Sequence, residues 1–149
     1  MNSEISTSGL LQRLFKTNSI ERFINQLDKK LENTSFSSHI GQLCKDRNIA
    51  PAQVIKRSGV ERTFGHQLFN GRRLPSRDKV IQLAFGFGLN YEETQKLLKT
   101  SQKNPLYPKI SRDAVIIYAL EYDFSIMETQ ATLNELSLPL LGKGEHKYE

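Results

Sequence analysis

Apolar residues recur at helical spacing along most of the chain, and no segment alternates with the period of two that a half-buried strand needs. In "IERFINQLDKKL", Ile20, Phe23, Ile24, Leu27 and Leu31 fall on one face and predict an N-terminal amphipathic helix. "NTSFSS" interrupts the pattern and offers capping side chains to a second helix, over about residues 38–48, that turns Ile40, Leu43 and Cys44 inward. Pro51 suits a first helical position, where its missing N–H costs nothing, and a short helix runs on to Ser58 and stops at Gly59. Another spans about residues 61–70 and ends at Gly71. Val60, Phe64 and Leu68 recur there at i, i+4 and i+8 as a core-facing stripe, leaving Glu61, Arg62, Thr63, His66, Gln67 and Asn70 outward. The pattern predicts an all-α fold.

The pattern also repeats. "SRDKVIQLAFGFGLNYEETQKLL" (76–98) aligns without gaps on "SRDAVIIYALEYDFSIMETQATL" (111–133) at an offset of 35, with ten of the 23 positions identical. Each copy reads as two helices joined at "GLN" or "DFS", so the unit is an αα-hairpin, and repeats of this length are typical of stacked helical pairs. The second hairpin is expected to pack on the first. "QKNPLYPK" joins them; its Pro105 and Pro108 also fit a Pro-x-x-P ligand, although a stiff linker is the simpler reading. The chain thus divides into an N-terminal helical extension (1–34), a central unit (35–103), a C-terminal hairpin (104–141) and a solvated tail (142–149).

Charge sharpens this division. Residues 35–103 hold twelve Lys/Arg against five Asp/Glu, whereas residues 1–34 hold five against four and residues 104–149 four against seven. The positive charge is therefore concentrated in the centre, where a polyanion would meet it. A single cysteine, Cys44, allows no internal disulfide and no thiolate cluster, which suits a reducing cytoplasm. The longest apolar run, "AVIIYAL", is far short of the roughly 20 residues that span a bilayer, and the N-terminal residues lack the pattern of a signal peptide. No cofactor-binding motif occurs: there is no phosphate-cradling glycine loop and no metal-ligand spacing. Three scattered histidines (His39, His66, His146) and one cysteine do not make a nucleophile-and-base set, so an enzyme is not expected.

Taken in order, several landmarks of residues 38–98 resemble the phage-repressor-like (Cro and Xre type) helix-turn-helix family. They are Lys45, Arg47 and Ile49 at the end of a first helix, Gly59–Val60 at a turn, Gly71 twelve residues on followed by "RRLPS", and Leu83–Ala84 in a fourth helix. The resemblance implies a lambda-repressor-like bundle with an added N-terminal helix and the extra C-terminal hairpin. It implies a transcriptional regulator that lays the helix at 61–70 in the major groove of double-stranded DNA. By that register Arg62, Thr63 and Gln67 meet base edges, with His66 at their margin. Arg72, Arg73, Arg77, Lys56 and Asn70 are the candidate phosphate contacts, and Arg57 lies beside Lys56. The recurrence of Arg77–Asp78 as Arg112–Asp113, far from any recognition helix, favours a structural role for that pair.

Three residues depart from the family. Pro51 replaces a phosphate-holding glutamine. Gly65 and Ile55 exchange the usual large and small residues, which predicts that Ile55 fills the space over Gly65. Phe69 replaces a glutamate and is expected to bury against Leu74 or the N-terminal helix, or else to mark a protein contact. A homodimer is expected, because one small reading unit binds weakly and two-fold pairs read palindromes. The competing reading is an adaptor or antitoxin-like partner that keeps the scaffold. Its surface would be residues 104–141, whose apolar set (Val115, Ile116, Tyr118, Tyr122, Ile126, Leu133 and Leu136) would serve either a homodimer or another protein.

Overall fold

A computed structural model of the chain describes residues 6–32 and 35–142, apart from the side chains of residues 27–32. Among the described residues every regular element is a helix: α1 (Thr7–Lys16), α2 (Ile20–Glu32), α3 (Phe36–Arg47), α4 (Pro51–Ser58), α5 (Arg62–Phe69), α6 (Arg77–Phe87), α7 (Tyr91–Thr100), α8 (Ser111–Glu121) and α9 (Ile126–Glu135). Local chemistry sets the boundaries. Ser35 and Ser76 accept hydrogen bonds from the N–H groups of Ser38 and Lys79 and so start α3 and α6. Pro51 sits in the first turn of α4, and Gly59 ends that helix in the left-handed conformation at φ 72°.

The N-terminal extension holds two helices rather than the one expected, because "TSGLLQRLFK" also forms a turn-capped helix behind Ser6. Of the apolar face expected on α2, the side chains of Leu27 and Leu31 lie outside the described residues. No residue of α1 is buried, and Leu11, Phe15, Ile20 and Ile24 present their apolar side chains to solvent.

The core is organised around α6, in which every residue from Lys79 to Phe87 is buried. It packs against α3, α4, α7 and α9, and a single apolar cluster runs from Phe36 to Leu141. The central unit and the C-terminal hairpin therefore share one core. Arg47 fastens α3 to the far end of α6: its Nε and Nη2 donate to the carbonyls of Phe87 and Gly88, and Nη1 pairs with Glu93. The Asn90 N–H, together with Arg47, holds the Glu93 carboxyl below the ordinary glutamate range.

The second hairpin packs on the first, as the repeat led one to expect, but the relation is reciprocal. Arg77 forms a two-pronged pair with Asp113, and Arg112 forms the equivalent pair with Asp78. Arg77 also donates to the carbonyls of Asn104 and Pro105, as Arg112 does to those of Pro139 and Leu140. The Tyr107 N–H completes Asp113, and the Gly142 N–H completes Asp78. Likewise α6 meets α9 while α7 meets α8. In a translational stack each unit would use one surface for the unit before it and another for the unit after. Here each hairpin uses the same surface on the other, as across a two-fold axis.

The shared "ETQ" acquires a physical meaning. Glu93 and Glu128 complete capping boxes with Asn90 and Ser125, and Thr94 and Thr129 bond back to the carbonyls of those caps. Gln95 and Gln130 each clamp one backbone unit, at Leu106 and Leu141, accepting its N–H and donating to its carbonyl. The structural repeat thus extends to residue 142, past the last recognisable identity. Leu106 lies buried between Pro105 and Pro108, so "PLYP" is a fastened linker rather than a presented ligand. Gly142, assigned to the tail, is buried and bound to Asp78; the rest of that tail, 143–149, lies outside the described residues.

Candidate nucleic-acid interface

Helices α4 and α5 are joined by residues 59–61 alone. Val60 anchors the turn in the core, and the Glu61 carboxylate caps α5 by accepting the N–H groups of Thr63 and Phe64. Phe64 and Leu68 bury one side of α5, as the stripe predicted. Gly65 belongs to that buried side: a Cβ there would lie 2.6 Å from Cγ2 of Ile55, so α5 seats on Ile55 only because the position lacks a side chain. The inferred exchange of sizes between positions 55 and 65 is thus seen in the packing.

This seating turns Arg62, Thr63 and His66 to solvent on one side of α5. Gln67 is half-buried and engaged: its Oε1 accepts from Nε of Arg73 at 3.0 Å. Its Nε2–H group remains to meet a ligand, so only half of the acceptor–donor edge that pairs with adenine stays open. Arg73 is exposed yet laid back on α5, with Cζ 5.3 Å from the centre of the Phe64 ring. Asn70 uses Oδ1 to accept the Arg72 N–H and so shapes the loop after α5. The side chains of Arg72, Lys56 and Arg57 are exposed. From residue 50 to residue 77 six basic residues stand against one acidic residue, Glu61, whose carboxylate caps the helix.

Two expectations are corrected. Arg77 does not belong with the phosphate contacts, because all three of its guanidinium nitrogens are committed to Asp113, Asn104 and Pro105. Phe69 does not pack on Leu74, which is largely exposed; it tilts against Phe87, with ring centres 6.4 Å apart. Of the dimer candidates on the second hairpin, Ile116, Ile126 and Leu133 are spent on the chain's own core, whereas Tyr118, Tyr122 and Leu136 are exposed.

The sequence reading missed Lys79. It is 1% exposed, and its Nζ lies 5.1 Å from the Phe64 ring centre, so Phe64 meets cations from both Arg73 and Lys79. The available signal was a lysine that opens the largely apolar run from Val80 to Phe87. The role of Glu61 as a cap was also missed, since a glutamate before a helix reads equally well as its first residue.

Comparison with family models, with curated proteins and with solved structures returns no match. Among the described residues no helix is long and apolar enough to cross a membrane, and no cluster of His, Cys, Asp or Glu suits a metal ion. Cys44 is buried, and its burial pushes the thiol above its ordinary range.

Proposed function

We propose that this chain is a sequence-specific regulator that binds double-stranded DNA through a repressor-like helix-turn-helix unit, α4 and α5. The observation that carries the reading is the two-sidedness of α5. Its apolar side is locked by Phe64, Gly65 and Leu68, and its polar side presents Arg62, Thr63 and His66 within a stretch, 50–77, that holds six basic residues against one acidic residue. A rigid short helix with an arginine in its first exposed turn is the device by which such units read base edges. Arg62 would take guanine O6 and N7, and the Thr63 methyl would meet that of thymine. Gln67, with Oε1 held by Arg73, would donate to a base acceptor. Lys56, Arg57 and Arg72 would hold phosphates and fix the register, and Arg73 would join them through its Nη groups while Nε holds Gln67. The reducing cytoplasm suits such a role, and a homodimer would supply the affinity that one unit lacks. The exposed tyrosines of α8 favour a second, compatible reading, a protein contact on the opposite hairpin.

Fluorescence anisotropy on a duplex recovered from the protein's own upstream DNA, read across a salt series, tests the proposal. The affinity should fall by about 0.9 log units per log unit of salt for each phosphate neutralised. Arg62→Ala should cost about 1–3 kcal/mol on the cognate duplex and little on a scrambled one. Equal binding of both duplexes by both proteins would refute it.

A further inference from the structure

The repeat exposes an asymmetry. On α6, the face bearing Lys79, Gln82 and Phe87 is covered by the two-helix unit before it. The Phe64 ring stands against Lys79, the Ser58 carbonyl accepts from Gln82, and Phe69 tilts on Phe87. The equivalent face of α8, 35 residues on, is Ala114, Ile117 and Tyr122, with Tyr118 in the place of Leu83. Ala114 and Ile117 are half-buried, but among the described residues no helix covers the rest of this face: Tyr118 is 55% and Tyr122 65% exposed, and their rings stack on each other at 4.4 Å. A helix as uniformly apolar as "AVIIYAL" is ordinarily buried on all sides.

The chain also holds a two-helix unit, α1 and α2, none of whose described side chains is fully buried. Along α1 and α2 the residues Leu11, Phe15, Ile20 and Ile24 form an apolar side in solvent, with Phe15 78% exposed. The charges match. Helices α1 and α2 together carry five basic residues (Arg13, Lys16, Arg22, Lys29 and Lys30) against three acids (Glu21, Asp28 and Glu32), whereas the rim of the α8 face carries Glu121 and Asp123. The one basic residue between 111 and 135, Arg112, is already paired with Asp78.

We infer that the α8 face receives the α1–α2 arm of a second copy of this chain. The arm does not cover α8 within its own chain, and a reciprocal exchange gives each copy one arm to donate and one face to fill. That arrangement closes on a two-fold axis and leaves no open end. Two α8 faces packed on each other would instead bring their acidic rims together. The inference concerns assembly alone, so it stands or falls independently of the DNA reading.

Sedimentation velocity of the full chain tests it. The wild type should be a dimer, and Phe15→Glu and Tyr122→Glu should each be monomeric with unchanged circular dichroism, since both side chains are exposed. Mixing the two variants should restore dimers, because the intact arm of Tyr122→Glu can dock on the intact face of Phe15→Glu. A monomeric wild type, dimers retained by either variant, or monomers in the mixture would each overturn the inference. Should a variant unfold, a photo-crosslinker at Phe15 gives the same answer: crosslinks to residues 111–127 between isotopically distinct copies support it, and crosslinks within one chain or elsewhere overturn it.

Discussion

At Gly86 the backbone of α4 comes so close to α6 that an added Cβ would lie 2.4 Å from the Val54 carbonyl oxygen. Thirty-five residues on, the equivalent position is Glu121, which stands in solvent and accepts the Tyr91 N–H. Apart from this one-sided contact between Glu121 and Tyr91, the two hairpins are alike where they face each other and unlike where they face away. Their common inner surface keeps the arginine–aspartate crosses, the capping boxes and the glutamine clamps. Their outer surfaces have diverged, one accepting the helix pair proposed to read DNA, the other remaining bare and acidic. One scaffold has been used twice, and its chemistry lies in what each copy holds on its outside.

The largest effect should come from breaking the inner surface. Asp113 is almost fully buried and answers Arg77 and the Tyr107 N–H, so Asp113→Ala leaves a charge and a donor unpaired. A loss of about 3 kcal/mol is expected in urea denaturation. Asp78→Ala removes the same contacts from the other cross, but its carboxylate is more accessible, and the loss should be smaller. Equal losses would contradict the role given to burial.

Next in size is the outer contrast. Gly86→Ala should cost roughly 2–3 kcal/mol, since the Val54 carbonyl is backbone and cannot yield. Glu121→Gly should cost about 1 kcal/mol, the helical penalty of glycine together with the lost Tyr91 contact. A Gly86→Ala protein as stable as wild type would mean that α4 does not seat on α6 as described.

Within the α4–α5 pair, Gly65→Ala should cost about 1–2 kcal/mol by overpacking Ile55, and Gly65→Ile more; adding Ile55→Ala should restore part of either loss. Additive changes in thermal unfolding would break the pairing of these two residues.

The smallest effect concerns acid. Burial pushes the Asp78 carboxyl up, but the hydrogen bonds from Arg112 and the Gly142 N–H outweigh it and leave the group below the ordinary aspartate range. A depressed carboxyl binds its proton later in the folded chain than in the unfolded one. Its stabilisation is therefore present above about pH 4 and is lost as pH falls through the folded value. Asp78→Asn should be less stable at neutral pH and show a shallower acid limb than wild type. An unchanged limb would remove Asp78 from the account.

How much of this was legible in the sequence follows from where each signal resides. Helix periodicity and the turn residues Pro51, Gly59 and Gly71 placed α3 to α5 to within about two residues, because local propensity and tertiary packing agree there. Of the ten identical repeat positions, Ile81, Ala84, Thr94 and Leu98 and their partners are fully buried, and the arginine, aspartate, glutamate and glutamine pairs supply the crosses, boxes and clamps. The identity marked the shared inner surface, so similarity ended at residue 133 while the fold went on to Gly142. The reciprocal packing was not legible, since an offset alone does not tell rotation from translation. The side-chain lock of Arg73 on Gln67 and the burial of Lys79 against Phe64 were hidden for a related reason. The first depends on a loop returning to α5 and the second on how α5 meets α6, and periodicity encodes neither.

The central claim, that α5 reads base sequence, is tested most directly by selecting duplexes from a random pool with the wild-type chain and with Arg62→Ala/Thr63→Ala. The account predicts that the wild type enriches a defined motif, palindromic if the chain dimerises, and that the double variant loses the positions those two residues read while the rest persists. Recovery of the same motif by both proteins, or of none by either, would contradict it.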